Sequence, residues 1–230
     1  MNDAGVDMIF LFDVDNTLLD NDRVIVDLRQ HLVREVGFGR ADQFFEIFEQ
    51  LRGELGYSDT LGALQRYRQA HPRDPHLLTV SSFLVNYPFA ERLYPGALDA
   101  VAHAGRIGPT VILSDGDVVF QPLKVERAGL ARAVAGRVLI YIHKELELDD
   151  VERRYPADHY VLVDDKIRIL TAVKQAWGDR VTTVFPRQGH YAHAPDVTTY
   201  PQPDVTIEHI GALVDVDGRA LRAAASGGSR

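Results

Sequence analysis

The chain has no cysteine. Disulfides, thiolate nucleophiles and cysteine-ligated zinc are therefore excluded, and nothing about the redox compartment follows. Basic charge is scarce: 25 Lys and Arg stand against 33 Asp and Glu, for a formal charge of -8. Nucleic acid and anionic membranes select basic surfaces, so neither is an expected partner. A phosphate substrate is not excluded, because one metal ion and one lysine reverse a local field. Long hydrophobic runs are missing as well. The first, Met8 to Phe12, is far too short to span a bilayer. The acidic N-terminus, Met1 to Asp7, lacks the basic start of a secretory signal. A cytoplasmic location is the expectation. There is no internal repeat and no low-complexity block.

What is present reads as an ordinary globular chain, 230 residues long with 46% hydrophobic and 25% charged residues. That length suits one α/β domain with an insertion. Short apolar runs rich in Val, Ile, Tyr and Phe occur at Met8–Phe12, Thr110–Leu113, Val138–Ile142, Tyr160–Val163 and Val181–Phe185. They do not alternate with polar residues, as expected of strands buried on both faces of a parallel sheet. Helical stretches between the later runs suit right-handed crossovers, so the fold class expected is a doubly wound, Rossmann-like α/β sheet. The first gap is different. Apolar residues recur at Val24, Leu28, Leu32 and Val36, then at Phe44, Phe45, Phe48, Leu51 and Leu55, and further helical stretches follow at Thr60–Ala70 and His76–Val85. We read residues 20–90 as a helical insertion with a small core of its own, lying over the C-terminal end of the first strand. Residues 1–19 and 91–217 then form the α/β core, and 218–230, rich in Ala, Gly, Ser and Arg, a flexible tail.

Acids close two of the strands. Phe10-Leu11-Phe12-Asp13-Val14-Asp15-Asn16-Thr17 runs from an apolar strand into two aspartates one residue apart, and Val161-Leu162-Val163-Asp164-Asp165 ends a second strand on an adjacent pair. Open α/β sheets bind ligands beyond the carboxyl ends of their strands. Carboxylates gathered there repel unless a cation neutralises them, and hard oxygen donors suit magnesium. The plainer reading makes Asp165 the cap of the helix that follows. Ser114, after the run Val111 to Leu113, and Lys144, after Ile140 to Ile142, stand at two further strand ends.

In this order the motifs resemble the haloacid dehalogenase superfamily: Asp13-Val14-Asp15-Asn16-Thr17, then Ser114, Lys144 and the Asp164-Asp165 pair. The resemblance runs over about residues 8 to 185, and its first motif is the specific one. It implies strand order 3-2-1-4-5 and makes the insertion an α-helical cap of the first type, with Leu93-Tyr94-Pro95-Gly96 as the return to the core. It implies that Asp13 attacks phosphorus and that Asp15 is the general acid and then the general base. Ser114 and Lys144, with Asn16, would bind the phosphoryl group. Asp13, Asp15 through its backbone carbonyl, Asp164 and Asp165 would hold Mg2+.

The function expected is a magnesium-dependent phosphomonoester hydrolase for a small phosphorylated metabolite, working as a monomer or homodimer. A phosphomutase is the alternative, as is a non-catalytic binding or regulatory module on such a core. A phosphonatase of this superfamily needs an imine-forming cap lysine, and residues 20–90 contain no lysine. A dehalogenase needs neither the metal nor the second motif acid. Two departures stand out: Asp115 beside Ser114, and Ile169 where an acid often follows the metal-binding pair. Lys124 and Lys166 compete with Lys144 for the phosphate. His190 and His193 lie in a loop that follows the strand next to the acidic pair, with solvated side chains the plainer reading. Phe44, Phe45 and Phe48 read as core, and Arg66 and Arg68 as a solvated helix face or readers of a second substrate anion.

Overall fold

A computed structural model describes residues 6–226. Its strands are β1 (Val6–Phe12), β2 (Thr110–Asp115), β3 (Val138–Tyr141), β4 (Ala157–Val163), β5 (Val181–Pro186) and β6 (Val205–Ile207). All pair in parallel, in the order β3-β2-β1-β4-β5-β6. The five apolar runs are five of these strands and take the expected order 3-2-1-4-5. β6 extends the β5 edge. Of its three residues only Ile207 is buried, so no apolar run announces it.

Helices connect the strands: α1 (Asn21–Val36), α2 (Phe38–Leu55), α3 (Thr60–Ala70), α4 (Leu77–Asn86), α5 (Ala97–Ile107), α6 (Phe120–Arg127), α7 (Leu130–Ala133), α8 (Leu148–Arg154), α9 (Ile167–Trp177), α10 (Gly189–Ala192) and α11 (Gly218–Ala225). Alternate residues of each strand feed opposite layers. Phe10, Phe12, Ile112, Val161 and Val184 pack on the face that carries α5 and α11, in a cluster that also takes in α6 and α7 and runs on into the insertion helices. Ile9, Leu11, Val111, Leu113, Tyr160 and Leu162 pack with α8 and α9 on the other. Both faces are dry, so both parities must be apolar, and this explains the absent alternation.

The insertion does fold as helices α1 to α4, but its core is not separate. Phe44, Phe48, Leu51, Tyr67 and Leu84 belong to the same packed cluster as Val14, Leu18, Leu19, Phe89 and Phe120 near the sheet. The Phe89 and Phe120 rings meet edge-on at 5.6 Å across the junction. The two ends of the insertion are tied to each other, Asp20 N to Arg92 O at 2.8 Å and Tyr94 N to Leu18 O at 2.9 Å. The expected flexible tail needs correction for residues 218–225. They form α11, capped by the Asp217 carboxylate on Ala220 N. Leu221 and Ala225, one turn apart, bury against β5, and Thr182 Oγ1 donates to Leu221 O at 2.7 Å. An Ala-rich stretch needs only two such contacts on one stripe to become a docked helix. Residues 227–230 lie outside the described residues.

Candidate active site

The site begins where β1 ends. Asp13 N donates to Val163 O at 3.0 Å, continuing the β1–β4 ladder one step past Phe12. The chain then doubles back: Val14 O accepts from the backbone of Leu18 and Leu19, both at 2.9 Å, and Asn16 N donates to Leu19 O at 2.7 Å. Asn16 takes the left-handed conformation, with φ 61°, which asparagine tolerates better than most residues. Thr17, fully buried, accepts the Asp165 N–H on Oγ1 at 3.0 Å. This hydroxyl fixes the first acidic motif against the second.

Lys144 joins the two acid pairs. Its 3-10 turn starts directly after β3, and the Asp115 carboxylate accepts the Lys144 backbone N–H at 2.7 Å. The departure noted at Asp115 is thus a cap on the lysine turn. The ammonium reaches Asp13 Oδ1 at 2.5 Å and Asp164 Oδ2 at 2.6 Å, with all three side chains almost wholly buried. Burial works against the Lys144 charge, but Asp13, Asp164 and Asp115 outweigh it and raise its pKa. Lys124 is engaged elsewhere: its Nζ donates to both oxygens of Asp15, at 2.7 and 2.8 Å, and to Asn21 Oδ1 at 3.0 Å. Lys166 holds its Nζ 5.1 Å from the Tyr191 ring centroid; burial works against its charge, but Asp13 and Asp165 prevail and raise its pKa. The chain has four lysines, at 124, 144, 166 and 174, and three of them converge on this crevice.

The carboxylates of Asp13, Asp164 and Asp165 bring ligand atoms within 4.8 Å of one another. Asp13 Oδ2 and both oxygens of Asp165 are buried with no hydrogen-bond partner among the described residues. Asp165 is therefore not a helix cap. Asp164 Oδ1 instead accepts from Lys166 N at 2.8 Å, closing a turn ahead of α9, which has no side-chain cap. Burial first, then Asp13 and Asp164, push the Asp165 pKa well above the ordinary carboxylate range. Burial and Asp13 likewise raise Asp164, against the pull of Lys144. Donor-free carboxylate oxygens inside a protein carry a large desolvation cost unless a cation meets them. Three such oxygens in an all-oxygen set fit a hard divalent cation. The Asp15 side chain, turned to Lys124, is outside this cluster. Ile169, where an acid was noted as missing, is core.

Ser114 is buried at the end of β2, where Gln121 Nε2 donates to its Oγ at 3.0 Å. The Ser114 hydroxyl itself makes only a long bond, to Asp115 O at 3.4 Å, which a ligand oxygen can replace. Asn16 corrects the expectation of a phosphate ligand. Its Nδ2 donates to Asp22 Oδ1 at 2.9 Å and its Oδ1 accepts from Asp22 N at 3.1 Å, so the amide ties the motif turn to α1. Gln188 and Gln121 were missed, since neither carries charge or a motif. Gln188 props the same turn, donating to Asn16 O at 3.1 Å and Thr17 O at 2.8 Å while accepting from Ile210 N. Neither loop histidine lines the cavity in front of the site. His190 contacts Asp22 Oδ1 at 2.6 Å, and His193 is exposed. Their neighbour Tyr191 lines it instead, together with Asp15, Arg52, Tyr57 and Lys166. Arg66 pairs with Glu54 on an exposed face.

No protein-family model matches the sequence, and no curated protein matches it. Solved structures do. A haloacid dehalogenase-like hydrolase of Burkholderia xenovorans LB400 shares 64% identity over 93% of this chain and 100% of its own, with a TM-score of 0.89. The chain belongs to the haloacid dehalogenase-like hydrolases. More distant members share the fold. The L-2-haloacid dehalogenase of Xanthobacter autotrophicus is 20% identical, covering 90% of this chain and 96% of that one, with a TM-score of 0.57. The HAD-hydrolase YfnB of Bacillus subtilis, solved bound to magnesium, is 14% identical, covering 91% and 98%, with a TM-score of 0.61. In this chain the acids gather at the carboxyl edge of the sheet. Among the described residues no helix is long and apolar enough to cross a membrane.

Proposed function

We propose that this hydrolase is a magnesium-dependent phosphatase that acts on a small phosphorylated metabolite through a phospho-aspartate on Asp13. The observation that carries the reading is the set of buried, donor-free oxygens on Asp13 and Asp165 beside Lys144. Asp13 and Asp165, with Asp164 adjacent, would hold the cation. When bound, magnesium neutralises phosphoryl oxygens and makes phosphorus more electrophilic.

The side chains supply the rest. Asp13 forms a bond to phosphorus as the ester oxygen leaves, splitting one hard displacement into two easier ones. Ser114 and Lys144, with Lys166 as a third donor, balance charge on the phosphoryl oxygens, the dominant need in such a transition state. Asp15 gives a proton to the leaving oxygen and takes one from the water that cleaves the acyl phosphate. Lys124 holds both Asp15 oxygens, so one must be released before that transfer. Proton transfer of this kind contributes roughly 10²- to 10⁴-fold.

The dehalogenase alternative has relatives of that activity in its favour, all of them under 25% identical. It leaves the donor-free oxygens of Asp165 and the second acid, Asp15, without a role. Release of phosphate from an aryl phosphate, with magnesium or chelator, is the test, alongside halide release from 2-chloropropionate. Magnesium-dependent phosphate release that falls to background in Asp13→Asn is expected. Halide release without phosphate release overturns the proposal, and so does a folded protein that binds magnesium and turns over no phosphate ester. Product with the phosphate moved to another hydroxyl identifies a mutase.

A further inference from the structure

The organic half of the substrate must fit the cavity between insertion and core. Its volume is about 300 Å3, at the small end of ligand pockets, which span roughly 300–1,000 Å3. Arg52 on α2 and Tyr57 and Ser58 after it line one side, while Asp115, Lys166, Arg168 and Tyr191 line the other.

Free donors outnumber free acceptors there. Of the lining acids, Asp15 is held at both oxygens by Lys124, Asp115 accepts the Lys144 backbone N–H at 2.7 Å, and Asp196 is exposed. Three cations reach the space. Arg52 gives Nη2 to Glu49 at 2.6 Å and Nη1 to the Tyr191 hydroxyl at 3.3 Å. Arg168 gives Nη1 to Glu145 at 2.6 Å. A guanidinium carries five N–H donors, so each keeps several for a ligand while its glutamate restrains it. Lys166, whose Nζ lies 5.1 Å from the Tyr191 ring centroid on the cavity wall, is assigned to the phosphoryl end under the proposed function.

We propose that the substrate is a small phosphomonoester with a second oxyanion, and that Arg52 and Arg168, from the two sides of the cavity, bind that second group. The substrate class rests on the phosphatase reading; the anion subsite does not. Bidentate guanidinium contacts suit carboxylate and phosphate alike, so both are tested. Binding is measured by calorimetry on Asp13→Asn with magnesium present, using phosphoglycerate, propanediol bisphosphate and glycerol phosphate as ligands. One of the two ligands with a second anionic group should bind at least about tenfold tighter than glycerol phosphate, the scale of one charge-assisted hydrogen bond. Which one does so tells carboxylate from phosphate. Adding Arg52→Gln or Arg168→Gln should collapse that ratio, whereas Arg66→Gln, off the cavity, should keep it. Equal binding of all three ligands, or a ratio that survives both substitutions together, overturns the subsite. Wild-type turnover is read separately. Hydrolysis without preference for either anionic ligand rejects the substrate class and keeps the phosphatase. No hydrolysis with the binding preference intact rejects the phosphatase, and the substrate class with it, and keeps the subsite.

Discussion

Asp165→Asn discriminates most sharply between a metal centre and a merely acidic crevice. Thr17 takes the Asp165 backbone N–H, but among the described residues none donates a hydrogen bond to its carboxylate, whose two oxygens are buried. Burial, then Asp13 and Asp164, raise its pKa above the ordinary value. Without metal the folded protein therefore favours the protonated acid more than the unfolded chain does. Its stability is greatest below the unfolded value and falls as pH rises through the folded one. The amide keeps the shape and removes the charge. In chelator at neutral pH the variant, whose buried amide carries no charge, should be more stable by about 1–3 kcal/mol, because an unpaired buried charge costs more than an unpaired neutral group. For a chain of this length that is about 3–10 °C in Tm. Magnesium at a hundredfold excess over its Kd adds about 2.7 kcal/mol to the wild type and little to the variant, so the gap closes or reverses. Thermal unfolding of both proteins, with chelator and with magnesium, reads all four values. A variant less stable than wild type in chelator, or one that gains as much from magnesium, refutes the reasoning.

Other consequences follow from single contacts. Gln121→Leu removes the donor that orients Ser114. It should cost about 1 kcal/mol of stability and lower kcat/KM for an aryl phosphate about tenfold, as expected for a misplaced binding group; unchanged kcat/KM would separate Gln121 from the site. Asp74 anchors the turn between α3 and α4, accepting from Tyr67 at 2.6 Å, His76 N at 2.9 Å and Arg40 at 3.0 Å. Burial opposes its charge, but these donors prevail and hold its pKa down, from 3.8 to about 2. Its contribution is therefore complete above the ordinary aspartate value and is lost as pH falls toward about 2. Asp74→Ala should cost about 2–3 kcal/mol at neutral pH, a difference that shrinks in acid when urea titrations are repeated across that range.

Much of this architecture is local and so was readable in one dimension. Buried parallel strands are apolar at every position, which marks β1 to β5 directly. A 3.6-residue stripe marks α1 to α4. Acids that close a buried strand are visible as such, and from Asp13 and Asp165 the metal and phosphoryl chemistry was an expectation before any coordinates. Of the chain's four lysines, Lys124, Lys144 and Lys166 stood out as rivals for the phosphate, but that all three reach one crevice was not legible.

Tertiary structure decided what those residues touch. Lys124 meets Asp15 across 109 positions and Lys144 meets Asp13 across 131, and no periodicity encodes pairings at that separation. Asn16, inside the most specific motif, turned out to fasten α1 rather than bind phosphate, because its left-handed backbone aims the amide at Asp22. Residues 218–225, weak in composition, became a helix once β5 offered Leu221 a dry surface. The sequence alone determined which chemical groups the sheet edge would carry. Only the folded chain decided which of them neutralise one another and which remain unpaired for a ligand, because burial and pairing depend on distances that the three-dimensional packing sets.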